Sequence, residues 1–207
     1  MKVRLLLPAL ACLVLAGCNN VNRTLEAIYE QDQAARQWSL NMGSLSPDEI
    51  ISHAEEMAVA DSLNQRTVFG LLDKRGWPKG LSEKANDAIW LVIDHSDLEA
   101  QKKYLPLVRQ KTDEGVVSSS DYATLCDRIL MEEGKPQIYG TQVRMATEII
   151  GEEISMQLFL WPVEDAAALD SLRSGLGLSP IAEYLENTGR QLGQEIVWDR
   201  SKTVEDF

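Results

Sequence analysis

Apolar residues open this chain as one unbroken block. Leu5 to Ala16 carries no charge, Met1-Lys2-Val3-Arg4 stands before it, and Leu15-Ala16-Gly17-Cys18 closes it. From Thr24 onward the apolar positions recur every three to four residues, the spacing of helices. Leu25, Ile28 and Tyr29 begin such a stripe between Thr24 and Asn41, and it continues into two charged positions, Asp32 and Arg36. Ser46-Pro47-Asp48-Glu49 predicts a helix start, with Ser46 capping, Pro47 in the first turn and Glu49 completing a capping box. Helix then runs toward Gly76 on Ile50, Ile51, Ala54, Met57, Ala58, Val68, Phe69 and Leu72. It is either one long helix or two, because Gly70 and the polar patch from Asp61 to Thr67 leave room for a break.

Gly76-Trp77-Pro78 ends that stretch, and Ser82 or Glu83 restarts helix. Ala88 to Ile93 is apolar on every side, which marks a buried helix ending in Asp94-His95-Ser96-Asp97. Ser96 and Glu99 predict a second capping box, opening a helix to Gly115. Ser120 is the expected cap of the next, through Tyr122, Leu125 and Ile129 to Gly134. After Pro136 the pattern changes to strands, at Gln137–Val143 and Ile154–Trp161, with Gly151 near their turn. An isolated hairpin is marginal in water and must lie against helices. Asp165–Ser174 and Pro180–Leu192 close the fold as helices.

The pattern therefore predicts a mainly α protein: a single helical domain, residues 24–193, of about six to eight helices with one antiparallel hairpin at about 137–161 packed on it. A short polar tether, residues 18–23, is expected before it and a loosely held polar tail, residues 194–207, after it. There is no internal repeat.

The opening block has the parts of a secretory signal: a charged start, an apolar stretch and a small-residue cleavage site. Leu5 to Gly17 falls short of the roughly 20 apolar residues that span a bilayer. A cysteine after Ala-Gly resembles the bacterial lipobox. That implies a signal over residues 1–17, with Cys18 acylated at the mature N-terminus and holding the protein on a membrane. Asn19 follows it, which under an enterobacterial sorting rule points to the periplasmic face of the outer membrane.

The chain has 20 Lys+Arg and 32 Asp+Glu, a net charge of −12; losing Lys2 and Arg4 with the signal takes it to −14. So acidic a chain, without a run of cations, repels phosphate backbones and argues against nucleic acid as a partner. Cys12 leaves with the signal and Cys18 is committed to lipid, so Cys126 has no disulfide partner. On a helical face with Tyr122, Leu125 and Ile129 it reads as a buried, inert thiol.

No phosphate loop, nucleophile elbow, HExxH pair or EF-hand loop occurs, and no cofactor is implied. His53, between acidic neighbours, reads as solvated. His95, one turn after Leu91 and Val92, faces partly inward and needs a hydrogen-bond partner. The candidates are Asp97, Asp127, Gln137, Tyr139 and Gln142. It is either a helix-end histidine bonding carbonyls or a general acid/base. Asp94, His95 and Asp97 point in different directions at a helix end, so no metal site is expected. Asp32 and Arg36 pair at i, i+4, and Arg128 stands one turn from Glu132; such pairs form surface ion ladders. Arg36 and Arg128 are alternatively an anion clamp.

Gly76-Trp77-Pro78, Trp90 to Asp97 with Gln101, Asp127-Arg128, and Gly134 to Gln142 stand in an order that resembles the bacterial domain-of-unknown-function family 6624. The resemblance covers about Asp61 to Tyr184, and Tyr139-Gly140-Thr141-Gln142 is its most specific part. Asp94 stands where that family's pattern usually has Gln. The resemblance implies no activity. It does imply that His95, Asp97, Gln101, Asp127, Arg128, Gln137, Tyr139, Thr141 and Gln142 form one polar cluster.

Three functions fit this sequence. The first is a membrane-anchored lipoprotein that binds a protein or small molecule at the cell envelope without catalysis. The second is an envelope hydrolase, with His95 as acid/base, Asp127 or Asp97 orienting it, and Arg128 holding an anion. In this reading Gln101, Gln137, Tyr139, Thr141 and Gln142 bind the ligand. The third is an acidic immunity-type lipoprotein that neutralises a basic partner.

Overall fold

Ser46 starts a helix as its sequence predicts. In the computed structural model, which describes residues 9–150 and 153–207, the Ser46 hydroxyl accepts from the Glu49 amide. The Glu49 carboxylate accepts in return from the Ser46 amide at 2.8 Å. The helix so begun, α2 (Pro47–Arg75), is one continuous helix that keeps Gly70 inside it. It ends at Gly76, whose φ of +65° suits glycine. Before it lies α1 (Ala9–Arg36) and after it α3 (Glu83–Asp94), capped by Ser82.

The chain divides after Ser96 into two compact units. In the first, Arg36 meets Asp61 while Asn20 and Val21 share a cleft with Lys74 and Arg75, so α2 runs back along α1. Leu25 and Ile28 of α1, Val68 and Leu72 of α2, and Ala85, Ala88, Ile89, Val92 and Ile93 of α3 are buried. Each large side chain among them contributes about 1.5–3 kcal/mol on burial. The start of the expected signal, residues 1–8, lies outside the described residues. The expected tether, residues 18–23, is instead helical backbone of α1. Asn22 is held there, its side-chain oxygen accepting from the Ser82 amide at 2.9 Å. Among the described residues no helix is long and apolar enough to cross a membrane. His53 is half-exposed and stacks on Trp38, with centroids 5.6 Å apart.

The second unit opens with α4 (Leu98–Asp113) and α5 (Ser119–Glu132). Both caps differ from expectation by one or two residues. Asp97, in extended backbone, caps α4 through the Ala100 amide, because the Ser96 hydroxyl donates to Ile93 O at the end of the preceding helix. Ser118 rather than Ser120 caps α5. The hairpin consists of β1 (Val143–Ile150) antiparallel to β2 (Glu153–Leu160), with Val143 opposite Leu160. The expected turn residue, Gly151, lies outside the described residues. The first strand begins six residues later than predicted, since residues 137–142 wrap onto α5 and Gly140 adopts a φ of +70°.

Two short helices, α6 (Leu169–Gly175) and α7 (Ile181–Leu192), follow. The tail is not loose. Ile196–Val197 forms β3, parallel to β2, and Phe207 packs 6.1 Å from the Phe159 ring and 5.1 Å from that of Trp161. Its apolar residues hold it: Ile196 joins Leu160, Leu169 and Ile181 in a buried core. The protein is mainly α, with seven α-helices among the described residues and one antiparallel hairpin, as its pattern predicts.

Candidate functional site

The predicted polar residues fall into separate hydrogen-bond systems, and the largest is built on Asp127. Asp127 is fully buried in α5. Its Oδ1 accepts from the amides of Ile138 (2.8 Å) and Tyr139 (3.0 Å), and its Oδ2 from the amide (3.0 Å) and hydroxyl (2.9 Å) of Thr141. Burial pushes this carboxyl above its ordinary range, against the pull of those donors. Gln137 is buried beside it. Its side-chain oxygen accepts from the Gln142 amide at 2.8 Å, and its Nε2 donates to Gln142 O and Trp161 O at 3.0 and 2.6 Å. Gln142 Nε2 donates to Thr124 O.

Outside this loop, Arg173 donates to Tyr139 O and Ser179 O, and the Tyr184 hydroxyl donates to Thr141 O. A side chain on Gly140 would bring its Cβ within 3.0 Å of Ile181. Asp127, Gln137, Tyr139, Thr141 and Gln142 are thus brought together as implied. Tyr139 takes part through its backbone, and the side chains of the other four bond one another and the backbone, which is the chemistry of a clasp that holds a loop on a helix.

His95 is built into the first unit and belongs to another system. It is the C-cap of α3, and its Nδ1 lies 2.9 Å from Asp32 Oδ1. None of the partners proposed for it from sequence takes this place. Asp32 follows Leu25 and Ile28 on the inward stripe of α1 and is 1% exposed, so it meets the helix end that packs there. Arg36 bonds Asp32 at 2.8 Å and reaches both oxygens of Asp61 at 2.9 and 3.0 Å. Its guanidinium is therefore held by two carboxylates. Asp94 Oδ2 stands 3.8 Å from His95 Nε2. Burial pushes the Asp32 carboxyl up, but the His95 hydrogen bond and the charges of His95 and Arg36 outweigh it and hold the carboxyl below its ordinary range.

The remaining candidates have structural posts. Asp97 is an exposed cap, Gln101 is buried with Nε2 3.4 Å from Glu132, and Arg128 is half-buried on α5. Cys126 is buried, and burial raises its thiol. Cys18 lies within the α1 backbone, and its side chain is outside the description.

A third feature lies in the groove between α1 and α2, and sequence reading did not find it. A cleft of about 400 Å³ is lined by Asn20, Val21, Thr24 and Leu25 on one wall and by Arg66, Thr67, Gly70, Leu71, Lys74 and Arg75 on the other. No described carboxylate lines it. Three cations that look dispersed in an acidic sequence share this cleft because residues 66 and 74 stand two helical turns apart. Gly70, the residue suspected of breaking α2, forms part of the wall, and a Cβ built on it would meet nothing within 4 Å among the described residues.

The family of unknown function (DUF6624) matches this chain over residues 19–196. The chain belongs to that family. The match spans both hydrogen-bond systems and the cleft. No curated protein and no solved structure matches the chain. Within this DUF6624 protein, Asp127 and the Tyr139 to Gln142 motif are the two halves of the buried clasp. The GWP motif likewise serves the fold, with Trp77 Nε1 donating to Asn86 at 2.8 Å. The missed residues carried signals: Asp32 is a charge on an apolar stripe, and Gly70 is a glycine inside a long helix.

Proposed function

We propose that this DUF6624 protein is a membrane-anchored lipoprotein of the cell envelope, acylated at Cys18, that binds a ligand in the α1–α2 cleft without catalysis. The cleft carries this reading: it is open, cationic and free of carboxylates in a strongly acidic chain. The family match begins one residue after Cys18, which suits a mature chain starting there. The Asp127 clasp supports the non-catalytic part, because both oxygens of that carboxylate are engaged by loop donors. A photo-crosslinking residue at Thr67 in cells is expected to capture a ligand adduct that the same residue at Ser201 does not. Cys18→Ser is expected to abolish incorporation of a labelled fatty acid into the chain. Adducts at both positions, or at neither, would overturn the reading.

One observation favours a second reading, an envelope hydrolase. Asp32 holds His95 Nδ1 as a carboxylate orients a catalytic imidazole. In that reading Asp32 takes the orienting role first assigned to Asp127 or Asp97. Three acidic side chains, Asp32, Asp61 and Asp94, stand about this histidine and Arg36, and they disfavour an anionic substrate.

A further inference from the structure

We infer that the α1–α2 cleft takes the phosphate of an anionic phospholipid headgroup in the leaflet that holds the anchor; this rests on the lipoprotein reading above. Three observations carry it. Arg66, Lys74 and Arg75 line one wall, and no carboxylate among the described residues pairs with any of them, whereas Arg36, Lys84, Lys102 and Lys111 each have an acidic partner. Unpaired cations around a concave surface suit a phosphate, which arginine binds through paired N–H groups.

The second observation is position. Asn20 and Val21 line the cleft and stand two and three residues beyond Cys18 on the same helix, about 3–5 Å of helical rise from the acyl chains. The mouth of the cleft would therefore lie at headgroup depth, where anionic lipids attract cationic side chains. Thr24 and Asn20 add polar groups on the opposite wall.

The third observation is Gly70. Glycine weakens a helix interior, and here neither the backbone nor packing among the described residues requires it, since α2 is regular at this point and a Cβ would touch none of them. A glycine where helix propensity favours alanine leaves the cleft open between Arg66 and Lys74. Lys74 and Arg75 also lie in the last turn of α2, where cations complement the helix dipole. That role needs neither Arg66 nor the gap at Gly70.

The test is native mass spectrometry of the full chain purified in a nonionic detergent. It is titrated with phosphatidylglycerol or with phosphatidylcholine of the same acyl chains, and separately with inorganic phosphate. The wild type is expected to carry at least fivefold more phosphatidylglycerol than phosphatidylcholine. Gly70→Leu, which fills the cleft without touching a charge, and the pair Arg66→Gln and Lys74→Gln should both abolish the preference. Equal adducts of the two lipids in the wild type would overturn the inference. So would an inorganic phosphate adduct without a lipid preference, which would make the ligand a soluble phosphate. The same spectra report the covalent mass at the N-terminus. An acylated chain with no lipid preference refutes the cleft and leaves the anchor, whereas an unacylated chain that prefers phosphatidylglycerol refutes the anchor and leaves the phosphate site.

Discussion

Replacing Asp127 by alanine tests whether the family's polar motifs hold the fold. The substitution removes the acceptor for three backbone amides, those of Ile138, Tyr139 and Thr141, and for the Thr141 hydroxyl. A buried donor left without an acceptor costs about 1–3 kcal/mol. The low end applies, because residues 138, 139 and 141 are half-buried and water can reach part of the vacated space. Four donors at about 1 kcal/mol each give about 4 kcal/mol, from which relief of a buried charge subtracts a little. The expected loss is therefore about 3–4 kcal/mol, a large share of the roughly 5–15 kcal/mol that holds a domain together. Asp127→Asn keeps one acceptor and turns an amide toward the Thr141 donors, so about 2 kcal/mol is expected. Urea unfolding gives the loss, and hydrogen exchange at Ile138, Tyr139 and Thr141 locates it. A loss under about 1 kcal/mol for Asp127→Ala, with those amides still slow, would refute the reasoning.

His95→Ala should cost on the order of 1–3 kcal/mol in the same assay, since among the described residues Asp32 would keep only Arg36 and Gln33 as side-chain partners; an unchanged midpoint would mean the imidazole does not brace the helix end. Asp32 titrates below its ordinary value of 3.8, so the native state binds its proton less readily than the unfolded chain. That stability is present above the ordinary value and is lost as pH falls through the lowered one, and Asp32→Asn should flatten this acid limb of a stability-against-pH curve. Asp127, held above its ordinary range, contributes with the opposite sign, and Glu133, held down to about 2 by Lys102 and Lys135, adds to the same limb, so a limb as steep in Asp32→Asn as in the wild type would mean that Asp32 contributes nothing to it. Gly70→Ala should raise stability by about 1 kcal/mol in thermal or urea unfolding; a loss would show that the glycine serves the helix and not the cleft.

Much of the fold was legible because it rests on local rules. The capping box at Ser46, the buried helix at Ala88–Ile93 and the glycine stop at Gly76 each depend on residues near one another in sequence. The tail was misread for the opposite reason: Ile196 and Phe207 are held by partners decades of residues away, on β2 and beside it. The same limit governed the candidate site. Family resemblance rightly grouped Asp127 with Gln137, Tyr139, Thr141 and Gln142, which are close in sequence. The partners that helix position suggested for His95 were wrong, because the imidazole bonds a residue 63 positions earlier. The cationic cleft was not legible because net charge averages over a surface: helical spacing puts Arg66, Lys74 and Arg75 on one wall, but only the antiparallel pairing of α1 and α2 supplies the other. Polar residues that look catalytic in a sequence can be the ones a fold needs most, when burial demands that every donor find an acceptor.

The most direct test of the account is the mass of the N-terminal tryptic peptide from protein extracted from membranes. Trypsin cuts after Arg4 and Arg23, so the two possible states give different peptides. The account predicts a peptide from Cys18 to Arg23 that carries acyl chains on the cysteine. An unmodified peptide from Leu5 to Arg23 would contradict it.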